Sequence, residues 1–104
     1  MRELHHFGIP TSKPQKNEIY LEGAKLYVTD VDKSPNKIEW LRFEKGSPMP
    51  ELLQTSAHIA YKVKNLKAAM SGKKVLLKPF SPAPGLTVAF VVEEGIPVEL
   101  MQEG

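Results

Sequence analysis

The chain has 104 residues, of which 41% are hydrophobic and 25% charged, a composition typical of one globular domain spanning residues 1–104. Its 14 basic and 12 acidic residues are interspersed and give a formal net charge of +2, so the charge pattern does not favour nucleic-acid binding. The absence of cysteine excludes disulfides, thiolate nucleophiles and cysteine-ligated zinc.

The first half of the chain predicts strands and no full helix. The polar segment 11–17 contains Pro14, which favours a loop, and the cluster 30–36 favours a turn. Four runs rich in apolar, β-branched and aromatic residues predict strands: Leu4–Ile9, Glu18–Leu21, Ala24–Thr29 and Lys37–Glu44.

The second half predicts four further strands and one short helix. The helix begins after Asn65, a suitable N-cap, and stops at Gly72. Gly46–Pro50 is predicted as a loop, and Ser81–Gly85 as either a mobile loop over a pocket or an ordinary proline-rich turn. The strand predictions are Ser56–Val63, Lys74–Lys78, Leu86–Val92 and Ile96–Met101, with a tight turn at Glu94-Gly95.

A histidine followed by a glutamate occurs in each half of the chain. His5 and Glu39 belong to the first half, about residues 1–46, and His58 and Glu99 to the second, about residues 56–104. Each glutamate lies between two apolar neighbours, so it faces the side of its strand opposite to them. This order indicates a duplicated module whose four donors form a metal site, suited to Zn, Ni, Co, Mn or Fe(II).

The chain resembles the vicinal-oxygen-chelate superfamily, also called the glyoxalase, bleomycin-resistance and dioxygenase superfamily. The resemblance covers nearly the whole chain and is carried by MRELHHFG, IEW, AHIAYKV with the helix after it, and VAFVVEEGIPVELM. Members of the superfamily are built from two βαβββ modules whose curved sheets enclose a metal. The resemblance therefore implies an α+β fold with a curved mixed sheet around a metal site.

By this resemblance, His5, Glu39, His58 and Glu99 fall at the four metal-ligand positions of glyoxalase I. His6 is the alternative to His5, because a slip of one residue reverses the face of a strand. The chain departs from the family in two places. The helix of the first module is reduced or missing, and the basic residue that holds glutathione after the first ligand is absent, which argues against glutathione as a substrate.

The function implied is that of a metal-dependent isomerase or lyase, which removes a proton next to a metal-bound carbonyl of a small substrate. Glu39 or Glu99 would serve as the base. Two alternatives stay open: an extradiol-type dioxygenase, and a metal-free small-molecule-binding protein like the bleomycin-resistance members.

The resemblance also implies a homodimer. The opening MRELHHFGIP lacks the apolar core of a signal peptide, and no apolar run reaches membrane-spanning length. We therefore expect a cytoplasmic protein that does not bind membranes.

Overall fold

The computed structural model describes residues 2–104, which form one curved mixed sheet of eight strands with two short helices. This confirms the predicted α+β fold and all eight predicted strands, although several strand ends differ. The elements are β1 (Arg2–Pro10), β2 (Ile19–Leu21), β3 (Leu26–Val28), β4 (Ile38–Phe43), α1 (Glu51–Thr55), β5 (His58–Val63), α2 (Leu66–Met70), β6 (Lys74–Ala83), β7 (Leu86–Glu93) and β8 (Ile96–Glu103).

The strand order, β2-β3-β4-β1-β5-β8-β7-β6, divides the sheet into two equivalent halves. In one half β1 pairs with β4 in parallel, and in the other β5 pairs with β8 in parallel. Beyond these pairs, β4-β3-β2 and β8-β7-β6 continue as antiparallel meanders. The halves join where β1 and β5 pair antiparallel, so the first strands of both halves lie at the centre of the sheet.

Helix α2 covers the outer, convex face of the second half. Its N-terminus forms as predicted, because the Asn65 side chain accepts a hydrogen bond from the Ala68 backbone N–H at 2.9 Å. Leu66 of this helix packs against a buried cluster on β7 and β8 that contains Val91 and Leu100, both 0% exposed. Burial of such a side chain stabilises the fold by about 1.5–3 kcal/mol. This packing fixes the strand that carries Glu99 on its opposite face.

The first half has no helix in the equivalent position, in agreement with the loop predicted for residues 11–17. Its main buried cluster lies instead on the inner, concave face and consists of Leu26, Val28 and Leu41. Leu41 follows Glu39 by two residues on β4, so the two side chains share that face.

Two elements differ from the predictions. Helix α1 follows the predicted Gly46–Pro50 loop and buries Leu53, which is 4% exposed. Strand β6 runs through to Ala83, where the Ser81–Gly85 loop was predicted, and pairs irregularly with β7. A proline-containing segment is tolerated there because β6 is an edge strand of the sheet. Within residues 2–104, neither helix has the length and apolar character needed to cross a bilayer.

Candidate metal centre

A row of three paired residues crosses the concave face at Gly8. This glycine of β1 pairs with Glu39 on β4 and with His58 on β5. A Cβ atom at Gly8 would lie only 2.0 Å from Cε1 of His58 and 2.4 Å from its Nε2. The His58 ring therefore lies directly over the Gly8 backbone, in space that any larger residue would fill.

A second row, centred on Ala60, repeats the arrangement of the first. Ala60 of β5 pairs with His6 on β1 and with Glu99 on β8, and it is 0% exposed. In each row a histidine and a glutamate flank a residue that has at most a methyl side chain. Two neighbouring rows thus bring two histidines and two glutamates to one point at the centre of the sheet.

The structure places His6, rather than His5, in this group. The pairing of β1 with β5 shifts between Leu4 and His6, so His5 is the extra residue of a β-bulge. His6 is only 3% exposed and faces the glutamates, whereas the half-buried His5 lies beside it. The geometry therefore favours His6, the alternative to His5, as the first donor, and the set of four metal ligands stays a prediction. A bulge depends on the pairing with the partner strand, so the sequence of β1 alone could not decide between His5 and His6.

One sequence signal distinguishes His6 from its neighbour. In the second half, His58 stands two residues before Ala60, and in the first half His6 stands two residues before Gly8. The pattern of a histidine, any residue and a small residue thus occurs once in each half. His5 is followed at the same spacing by Phe7, whose side chain is too large for that position.

The donor atoms of the group lie close together. Nε2 of His6 lies 3.4 Å from a carboxylate oxygen of Glu39 and 3.4 Å from one of Glu99. Nε2 of His58 lies 3.1 Å from the same Glu99 oxygen. One donor atom from each of His6, Glu39 and His58 lies within 4.8 Å of the others. Because metal–ligand bonds of about 2.0–2.2 Å separate neighbouring donors by up to roughly twice that length, this spacing is compatible with a bound divalent metal.

The charges in the group favour a cation. Burial acts to raise the pKa of Glu99, but the neighbouring His58 and His6 outweigh it and hold this pKa below its ordinary value. Burial likewise acts to lower the pKa of His6, but Glu39 and Glu99 outweigh it and raise this pKa. For His5, burial lowers the pKa and the nearby His6 adds to the effect. The two glutamates therefore stabilise positive charge at the point where they meet the His6 ring.

Two buried nitrogen atoms support the same interpretation. Nε2 of His6 and Nδ1 of His58 have no hydrogen-bond partner of good geometry within residues 2–104. Nearly all buried polar atoms in proteins are hydrogen-bonded, so an unpaired one requires a reason. For Nε2 of His6, which faces two carboxylates, coordination of a metal ion supplies that reason. The donor set and this atom both fit a divalent transition metal.

The four donors form the floor of a cavity of 340 Å³ enclosed by the concave face of the sheet. Its walls are apolar and come from both halves of the chain. Leu53 of α1, a helix that was not predicted, and Phe80, beyond the predicted end of β6, both contribute to them. Among residues 2–104, no lysine or arginine lines it.

No protein-family model and no curated protein matches the chain. Solved structures do match the chain. A hypothetical protein from Bacillus halodurans has a TM-score of 0.72 at 20% identity, over 99% of this chain and 95% of that one. Methylmalonyl-CoA epimerase from Mycobacterium tuberculosis has a TM-score of 0.65 at 14% identity, over 98% of this chain and 88% of that one. At these identities the likeness establishes the fold and not the activity.

Proposed function

We propose that the protein is a metal-dependent enzyme of the isomerase type, which removes a proton next to a carbonyl group of a small substrate. The observation that carries the proposal is the group of two histidines and two glutamates on the floor of an apolar cavity. The fold shared with methylmalonyl-CoA epimerase supports it, because that protein's name denotes an isomerisation.

A divalent transition metal would be held by His6, Glu39, His58 and Glu99. Their nitrogen and oxygen donors suit Zn, Ni, Co, Mn or Fe(II). When bound, the metal would act as a Lewis acid on a substrate carbonyl oxygen, which makes the hydrogen on the adjacent carbon more acidic.

Glu39 is the better placed of the two glutamates to serve as the base. The Glu99 side chain is 11% exposed and contacts both His58 and His6, so it is held from two sides. The Glu39 side chain is 22% exposed and, within residues 2–104, forms an ion pair with His6 alone. A carboxylate with one such contact moves toward a substrate at lower cost than one with two. Glu99 would then stay in place as a ligand while Glu39 takes the proton.

The cavity indicates the class of substrate. Its volume of 340 Å³ is at the small end of the range for ligand sites, which is about 300–1,000 Å³. With no lysine or arginine among the described lining residues, the wall offers no permanently cationic side chain to a phosphate or to a second carboxylate. We propose a small carbonyl or hydroxy-acid compound with an apolar chain, whose oxygen atoms bind at the donor floor.

Two features disfavour the alternative functions. An extradiol-type dioxygenase uses two histidines and one carboxylate, whereas Glu39 belongs to the group here in addition to Glu99. A metal-free binding protein would not require four donors suited to a transition metal at one point of its cavity. The homodimer and the cytoplasmic location stay predictions.

Proton exchange with solvent tests the proposed activity. The metal-loaded protein is incubated in deuterated water with a panel of small α-hydroxy ketones and hydroxy acids, and loss of the carbon-bound hydrogen is followed by proton NMR. We expect exchange with at least one compound, and a rate lower by about 10²–10⁴-fold in Glu39→Gln. Glu103→Gln, whose side chain is 69% exposed, is the matched control and should keep the wild-type rate. Exchange of equal rate in Glu39→Gln would contradict the role of Glu39, and no exchange with any compound and metal would contradict the activity.

A further inference from the structure

We infer that His5 is a positioning residue, which accepts a hydrogen bond from Nδ1–H of His6 and holds the His6 ring with Nε2 toward the glutamates. The inference rests on the proposed metal site, whose first histidine His5 would orient. It gives a role to a side chain that lies outside the group of four donors.

The contact between the two rings is short and well directed. Nδ1 of His5 lies 2.8 Å from Nδ1 of His6, and the ring planes are inclined at 77°. At this distance one nitrogen must carry the hydrogen and the other must accept it. Because Nε2 of His6 faces Glu39 and Glu99, that nitrogen is the one that would coordinate a metal. The hydrogen of the His6 ring then stays on Nδ1, and His5 is the acceptor.

The β-bulge makes this contact possible. In a regular strand, adjacent side chains point to opposite faces, so His5 and His6 could not both face the cavity. The extra residue between Leu4 and His6 breaks that alternation, and both histidines line the cavity. Bulges of this kind occur next to functional sites, where they change the direction of a side chain.

The second half of the chain holds its histidine by a different means. The residue before His58 is Ala57, which has no side-chain acceptor, and Nδ1 of His58 is buried without a partner. Its ring is instead confined between the Gly8 backbone and the Phe90 ring, whose centroid lies 5.2 Å away. His6 has no such enclosure by a glycine, and the hydrogen bond that its Nδ1–H donates to His5 fixes the orientation of the ring instead.

Nitrogen–hydrogen correlation NMR of the metal-free, isotope-labelled protein tests the direction of the hydrogen bond. We expect a hydrogen on Nδ1 of His6 and none on Nδ1 of His5. The His5→Asn variant assigns the two rings by removing one set of signals. A hydrogen on Nδ1 of His5 would overturn the inference, whether or not the protein binds a metal.

Metal affinity separates a positioning role from simple packing. In His5→Phe the ring remains but the acceptor is lost, whereas in His5→Asn the side-chain oxygen takes the place of Nδ1. Calorimetric titration of the chelator-treated proteins with Zn²⁺ should show about 10–100-fold weaker binding for His5→Phe. His5→Asn should recover most of that loss, and thermal unfolding of the metal-free proteins checks that both variants fold. Equal affinity of wild type and His5→Phe would refute the positioning role. If the wild type itself binds no metal, the proposed function fails, while the NMR experiment still decides the hydrogen bond.

Discussion

Replacement of Gly8 by alanine should disrupt the candidate site through a single methyl group. The added Cβ would lie 2.0, 2.4 and 2.5 Å from three atoms of the His58 ring. Contacts this short do not occur, so the ring or the strand must shift. His58 is 2% exposed and lies against Phe90, so a displaced ring must leave its position beside Glu99. Gly8 has no positive φ, so the backbone does not require glycine there and the effect is steric.

The expected loss in the free energy of unfolding follows from overpacking of a buried site. Extra methylene groups in a packed core cost about 1–3 kcal/mol, and a clash with a confined ring belongs at the upper end of that range. For a domain of this size, such a change lowers the melting temperature by about 5–20 °C. Displacement of His58 should weaken metal binding as well, because a ligand leaves its position.

Urea denaturation followed by circular dichroism measures the change in the free energy of unfolding. Gly23→Ala is the matched control, because a Cβ there meets nothing within 4 Å, and we expect a change of less than about 0.5 kcal/mol. In a His58→Ala background the clash is absent, so Gly8→Ala should cost far less than in the wild type. An equal cost in both backgrounds would refute the reasoning.

Two further predictions concern stability away from the candidate site. Glu93 pairs with Arg2 and Lys73, which lower the pKa of its carboxyl group to about 2. These ion pairs therefore stabilise the folded state above pH 4.5, the ordinary pKa of this group, and the stabilisation is lost as the pH falls toward 2. Glu93→Gln should therefore lower the free energy of unfolding by about 1 kcal/mol at neutral pH and hardly at all near the folded-state pKa; a pH-independent loss in urea denaturation would contradict this. Asn65→Ala should cost about 1 kcal/mol because the Ala68 N–H loses its partner, and Asn65→Asp should restore it; equal unfolding midpoints for the alanine and aspartate variants would count against the cap.

The eight strands could be predicted because each is a run of apolar and β-branched residues bounded by turns. What the sequence did not reveal depends on contacts between distant segments. Helix α1 has five residues and forms where Leu53 is buried, so it is too short for a local periodicity that would predict it. Strand β6 continues through Pro82 because β7 lies beside it, despite the proline.

The candidate site was predicted in part for the same physical reason. Glu39, His58 and Glu99 lie in regular strands, where alternation gives the face of each side chain, and the structure brings all three together. His6 lies beside a bulge whose position is set by the pairing with β5, so the sequence left His5 and His6 open, and the match of MRELH to the family opening favoured His5. The repeated spacing of His6 to Gly8 and of His58 to Ala60 distinguishes His6 from His5, since Gly8 lies beneath the His58 ring and the small Ala60 pairs with His6.

Equilibrium dialysis of the chelator-treated protein against Zn²⁺, Ni²⁺, Co²⁺ or Mn²⁺, followed by elemental analysis, measures whether the four donors hold a metal. We predict one bound ion per chain for at least one of these metals. That binding should be lost when His6 and His58 are both replaced by alanine and kept in Glu103→Gln, whose exposed carboxylate pairs with Lys62. No stoichiometric metal in the wild type, or undiminished binding without the two histidines, would contradict the metal centre and the function built on it.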